Sequence, residues 1–403
     1  MKAFKTMLLT ITAILYSIAA IAHNFEIDGI YYNIISSEDL TVEVTYRGDE
    51  LNSYSNSNVY TGEVSIPEKV AYNGNTYSVT SIGDGAFYGC SNLTNVNIPS
   101  SVTSVGKAAF HNTEWWNSQL DGLVYIDCYL LGYKGEKTTG NIEIKEGIKV
   151  IGNFAFYNCS NLTSITIPNS VTNIGEGAFF GCRGLTSITL PNSITNIESC
   201  TFYACSSLAN VNIPSSVTSI GESAFSSCSN LTNITIPNSV KSIGDGAFQV
   251  CKNLTNITLS NSVTSIGDYM FRYCSSLTNV DIPGSVKSIG WRAFSDCTSL
   301  TSITIANPIP PTIVYNDTFS NECYKNATLY VPKGSLESYQ TATSWSNFLH
   351  VEEYDAKSIE YVQADNALVA APIYNLQGQL VKEHRDHLSA GVYIQGGKKF
   401  IVK

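Results

Sequence analysis

From Ile82 onward the apolar positions recur at a fixed interval. The leading Ile or Val stands at 82, 105, 151, 174, 197, 220, 243, 266 and 289, and every step is 23 except one of 46. Within the coil that begins at Ile151, the apolar positions are Ile151, Ala155, Phe156, Cys159, Leu162, Ile165, Ile167 and Val171. Ile165 and Ile167 alternate with Ser164 and Thr166, the spacing of a strand with one buried face. Ala155, Phe156, Cys159 and Leu162 stand at helical-turn spacing, so this limb is expected to be a short helix or a turn. A fixed period of this size predicts a β-rich solenoid of about nine coils. No coil buries enough apolar surface to offset the ordering of its own backbone, so each needs its neighbours.

The punctuation agrees with this pattern. Gly follows the leading residue in every coil but one, where Glu198 stands. That position is expected to need either a positive φ or a close backbone approach. Pro99, Pro168, Pro191, Pro214, Pro237 and Pro283 end their strands, where a missing donor does least harm. Leu162-x-x-Ile165-x-Ile167 resembles the core of leucine-rich repeats, with Ser170 where the usual Asn would stand. The Ile-Pro-x-Ser-Val and Ile-Gly-x-x-Ala-Phe-x-x-Cys pieces resemble the BspA-type repeats of bacterial surface proteins. The likeness covers roughly residues 60–331 and implies a leucine-rich-repeat solenoid presented outside the cell.

The remaining segments divide the chain. Residues 1–22 read as a signal peptide, with Lys2 and Lys5, an apolar stretch from Met7 to Ile21, and Ala20-Ile21-Ala22 before His23. Residues 23–79 lack the period but alternate like strands, and are expected to form an N-terminal β cap. Residues 80–331 carry the solenoid. Its one long step keeps the strand phase, because Ile142 and Ile144 lie a single period before Ile165 and Ile167. The extra sequence, at about 111–141, reads as an inserted hairpin standing off the solenoid, rich in aromatic residues. Residues 332–355 are expected to form a C-terminal cap with a helix from Ser335 to about Trp345. Residues 356–403 form a separate β-rich unit that resembles the C-terminal sorting domain of type IX secretion cargo, which implies export through that machinery.

Charge and composition narrow the partners. Charged residues make up 14% of the chain and the net charge is −10, which argues against a nucleic-acid partner. After the signal peptide no apolar stretch is long enough to span a membrane. Eight of the eleven cysteines, Cys90, Cys159, Cys182, Cys205, Cys228, Cys251, Cys274 and Cys297, share one repeat position. A parallel stack points their Cβ vectors the same way, which predicts buried free thiols rather than disulfides. Cys128, Cys200 and Cys323 lie outside this file, and a bond among them stays open. No metal-ligand spacing, phosphate loop or catalytic motif is present, so neither an enzyme nor a cofactor is expected.

What remains is surface. The outward strand positions present Asn210, Asn212, Asn233, Thr235, Asn256, Thr258, Asn279 and Asp281, short polar groups at roughly 5 Å intervals that suit an extended polar ligand. Trp115 and Trp116 in the insertion are candidate anchors or packing residues. Tyr88, Tyr157, Phe180 and Tyr203 form a third set, replaced in later coils by Ser226, Gln249, Arg272 and Ser295. The expectation is a secreted or cell-surface, adhesin-like protein that engages host matrix proteins or glycans. The alternative is a passive envelope or matrix component with no specific external ligand.

Overall fold

The computed structural model describes residues 23–47, 59–135 and 140–355, with the backbone of four C-terminal strands. The expected signal peptide at 1–22 lies outside the described residues. The C-terminal strands are Ile373–Asn375, Leu380–Lys382, Gly391–Gln395 and Lys398–Val402, and they form an antiparallel sheet.

Each repeat contributes to two parallel ladders. The first uses the Ile-x-Ile limb: Asn233–Thr235 pairs with Asn256–Thr258, with Ile234 opposite Ile257. The second uses the leading residue and the polar residue before it: Ser219–Ile220 pairs with Ser242–Ile243. A constant step sets like beside like, so each apolar row faces inward along the whole length. The Ile-x-Ile limb supplies twelve strands among the described residues, more than the nine leading residues suggest, and they pair in short parallel groups. Gly62–Ser65 already pairs in parallel with Leu93–Asn97, and His350–Tyr354 adds a last rung to Thr328–Pro332.

The limb between the ladders is a series of turns, not a helix. Cys228 N–H donates to the Phe225 carbonyl at 3.2 Å, which closes a turn within the coil. Ser223, Phe225 and Ser227 N–H donate to the carbonyls of Asp245, Ala247 and Gln249 at 2.7–2.9 Å, which joins this coil to the next. The alternation requires left-handed backbone three and seven positions after each leading residue. Those positions hold Phe154, Cys200, Ser223, Tyr269, Val250 and Tyr273 among others, and Gly at only a few. The Gly directly after the leading residue serves the other purpose. A Cβ on Gly221 would lie 2.4 Å from the Ser199 N, and one on Gly244 would lie 2.4 Å from the Glu222 N. Close approach of coils, not positive φ, therefore accounts for this position.

The core is a stack of identical layers. Phe156, Phe179, Phe202, Phe225, Phe248, Phe271, Phe294 and Phe319 stack ring on ring with centroids 5.1–5.8 Å apart. Beside them runs the cysteine file. Each thiol from Cys182 to Cys297 donates to the carbonyl of the Phe one coil back, at 3.0–3.2 Å. All eleven cysteines are free, Cys128, Cys200 and Cys323 included. Burial pushes the Cys205 and Cys251 thiols up to about 12.

The inserted hairpin does not stand off the solenoid. Its second strand, Tyr129–Lys134, pairs antiparallel with Gly122–Ile126 and in parallel with Val150–Ile151. Leu130 thereby takes a rung of the second ladder, and its carbonyl accepts from Gly152 N–H at 2.8 Å. The phenylalanine stack is interrupted here, between Phe110 and Phe156, and the core divides. One apolar cluster runs from Phe25 to Val150 and the other from Leu130 to Phe348.

Each end carries elements outside the regular coils. In the N-terminal sheet, Thr41–Thr45 pairs in parallel with Asn75–Ile82, which pairs in turn with Ser104–Val105 of the second ladder. At the other end a helix spans Leu336–Thr341, shorter than the sequence suggested, and a 3-10 turn follows at Trp345–Asn347. Trp345 is buried and its Nε1–H donates to the Pro311 carbonyl at 2.7 Å.

Candidate binding surface

The outward side of the first ladder is a polar face built by the register. Asn210, Asn212, Asn233, Thr235, Asn256 and Thr258 are exposed, and Asn279 and Asp281 are partly exposed. Ser187 stands beside Asn210, Asn233 beside Asn256, and Asn279 beside Ser302. A neighbouring row is consumed by the backbone: the Thr186, Thr255 and Thr301 hydroxyls donate to the carbonyls of Thr163, Thr232 and Thr278 at 3.1–3.3 Å. Asn233 Nδ2 donates to Thr232 Oγ1, and Thr278 Oγ1 donates to Asn279 Oδ1. The side chains of Asn210, Asn212, Asn256, Thr235 and Thr258 make no hydrogen bond to the rest of the protein among the described residues. They keep their donors and acceptors for solvent or a ligand. The outward positions from Ser164 to Thr258 carry no charge; Glu143 precedes them, opposite Thr166, and Asp281 and Glu352 follow in a row with Thr304 and Tyr330.

The two tryptophans of the insertion are spent on packing. They lie on a short helix, Glu114–Ser118, whose N-cap Thr113 Oγ1 accepts from Trp116 N–H at 2.9 Å. Trp116 is only 7% exposed and packs against His111 with ring centroids 4.3 Å apart. Trp115 is partly buried and meets Phe110 edge to face at 5.6 Å. Of the two roles open from sequence, anchor or packing, the burial of Trp116 fits packing: the hairpin completes a ladder and the indole fills the space beneath it.

The turn limb presents the third set. Tyr157, Phe180 and Tyr203 form a contiguous ring stack with centroids 5.3 and 4.6 Å apart. Tyr88 lies apart from this stack, where its hydroxyl accepts from Asn112 Nδ2 at 2.9 Å. Further along the same limb is a cluster that the repeat pattern conceals. Trp291 Nε1–H and Arg292 Nε–H both donate to Asp317 Oδ2 at 2.8 Å, and the guanidinium lies over the Trp291 ring. Arg272 lies over Tyr269 and Tyr273 in the same manner. Trp291, Arg272 and Tyr273 occupy different repeat positions, only Tyr269 and Arg292 share one, and Asp317 lies beyond the last regular coil, so no periodic signal marks the group. No set of three or more His, Cys, Asp or Glu residues is arranged to hold a metal ion among the described residues.

The BspA type leucine-rich repeat region, in six copies, matches residues 56–134, 129–236 and 218–344. The chain belongs to the BspA-type leucine-rich-repeat family. Solved structures similar to this BspA-type chain include three leucine-rich repeat proteins of bacteria. One, from Bacteroides ovatus, is 28% identical over 83% of this chain and 100% of its own, with a TM-score of 0.34. A leucine-rich cell surface protein from Faecalibacterium prausnitzii is 24% identical over 83% and 95%, with a TM-score of 0.25. One from Eubacterium ventriosum is 20% identical over 93% and 98%, with a TM-score of 0.36. No curated protein matches.

Proposed function

We propose that this BspA-type protein is a secreted or cell-surface binding protein that engages an extended polar ligand, a host matrix protein or a glycan, through its first ladder. The observation that carries this reading is the file of exposed Asn and Thr side chains without internal partners. A repeat that needed only solubility would be served by charged residues, which this face avoids over several consecutive coils. The N-terminal signal-like segment and the sorting-domain resemblance of residues 356–403 support export, with type IX machinery as the proposed carrier. A catalytic role is not part of this reading.

The test is a binding screen of the mature chain against arrayed matrix proteins and glycans, with the triple variant Asn210→Ala, Asn233→Ala, Asn256→Ala beside it. Saturable binding that the triple variant loses supports the ladder. Binding that survives in the variant moves the site elsewhere. Silence across the array favours the passive envelope component.

A further inference from the structure

Along the described turn limb, exposed and partly exposed rings repeatedly carry a cation from the chain itself. Lys107 Nζ lies 4.8 Å from the Phe154 ring centroid and 5.1 Å from that of Tyr157. Arg272 covers Tyr269 and Tyr273, and Arg292 covers Trp291. Lys145 covers Tyr125 in the hairpin at 4.4 Å. Phe180 and Tyr203 depart from the pattern. They are partly exposed and stacked at 4.6 Å, and no described Lys or Arg lies over either ring.

Lys107 is held on the neighbouring Phe154 and Tyr157 rings, and the charges that follow along this limb are carboxylates. Phe180 N–H donates to the Gly177 carbonyl, so its ring is one turn from Glu176. Tyr203 N–H donates to the Cys200 carbonyl, and Cys200 N–H donates to the Glu222 carbonyl at 2.8 Å, which brings Glu198 and Glu222 to the same stretch. Burial pushes the Glu176 carboxyl up, and the charges of Asp84, Glu198 and Glu222 push it further. Neither described salt bridge involves these carboxylates. Aromatic faces and crowded carboxylates attract the same partner, a cation with an apolar stem.

We propose that the Phe180–Tyr203 ring pair, with Glu176, Glu198 and Glu222 alongside, is a docking surface for a basic segment of a polypeptide partner. Its Lys or Arg side chains lie over the rings and neutralise the carboxylates. Three acidic coils at the parallel-strand spacing span about 10 Å, which an extended segment of three to four residues covers. The surface lies on the turn limb and is separate from the ladder face, so it stands or falls independently of the ligand proposed there.

The test is fluorescence anisotropy of a labelled hexa-arginine peptide with the mature chain at low salt. Wild type is expected to bind saturably. Glu176→Gln, Glu198→Gln, Glu222→Gln together should weaken binding about tenfold, taking each exposed ion pair at roughly 0.5 kcal/mol. Phe180→Leu with Tyr203→Leu, which keeps bulk but removes the ring quadrupole, should weaken it roughly fivefold. The charge-matched control Glu38→Gln, Glu322→Gln, Glu337→Gln should stay within about twofold, since those carboxylates lie elsewhere. Equal loss in the control and in the flank variant would reduce the effect to net charge and overturn the proposal, as would the absence of saturable binding. Loss on removing the Asn residues of the ladder, with the flank variant unaffected, would assign the peptide to the other face and equally overturn it.

Discussion

Replacing Gly221 by Ala tests the close approach of neighbouring coils. The added Cβ would lie 2.4 Å from Ser199 N, 2.7 Å from Glu198 C and 2.8 Å from Ser199 Cα, all backbone atoms of the preceding coil. Ordinary contact begins near 3.4 Å, so the coils must separate locally by about 1 Å. The backbone resists this from both sides: Gly221 N–H donates to the Ile197 carbonyl at 2.7 Å, and Cys200 N–H donates to the Glu222 carbonyl at 2.8 Å. Weakening one such bond costs about 1 kcal/mol, and the forced overpacking costs about 1–3 kcal/mol more. Ala recovers roughly 0.4–1 kcal/mol by restricting the unfolded chain. The expected net loss is about 1–4 kcal/mol. Urea unfolding followed by far-ultraviolet circular dichroism reads it as a lower midpoint at unchanged slope. A variant within about 0.5 kcal/mol of wild type would show that neighbouring coils have slack, and the close-approach argument would fail.

Four other outcomes follow from the same geometry. Val250 is β-branched yet left-handed at φ 61°, so Val250→Asn, the residue found in this role at Asn112 and Asn158, should raise stability by roughly 0.5–1 kcal/mol by the same denaturation assay. At pH 8 a thiol reagent should reach no more than Cys128 and Cys200, the two partly exposed cysteines, before unfolding and all eleven after it. The buried thiols also set an alkaline limit. Their folded values are raised from the usual 9.0, to about 12 at Cys205 and Cys251. The stability they contribute is therefore complete below pH 9 and is lost as pH climbs through 12, which a series of thermal melts from pH 8 to 11 would trace. Finally, the divided core predicts two unfolding steps: tryptophan fluorescence from Trp116 and from Trp345, isolated by Phe replacements of the others, should give different urea midpoints.

The repeat itself was legible because one physical requirement recurs at one spacing. Phe156, Cys159, Leu162, Ile165 and Ile167 each meet their own counterpart one period on, so burial writes a periodic signal. The free thiols follow for the same reason, since a file of parallel side chains cannot pair. The phase of Ile142 and Ile144 likewise identified a rung inside the irregular step, and Ile142 does stand opposite Ile165. The polar ladder was legible by elimination, as the alternate positions of the same strands.

Other features depend on what lies beside a residue in space. The left-handed turn positions carry Phe, Cys, Ser, Val, Tyr and Arg as readily as Gly, because the coil-to-coil hydrogen bonds outweigh the local cost. Nothing in the local sequence at Tyr129–Lys134 states that a hairpin strand will replace a coil in the second ladder. Trp116 is hydrophobic and amphipathic in the same way whether it is an anchor or a wedge, and only the hairpin above it made it a wedge. Asp317 found Trp291 and Arg292 through the return of the chain after the last coil. By itself the sequence determined the coil, its inward and outward rows and its stacking, since these arise from burial repeated at a fixed interval. The tertiary structure alone decided where the ladders begin and end, which aromatic rings are covered, and which charges stand without a partner. Those outcomes turn on contacts between segments that share no period.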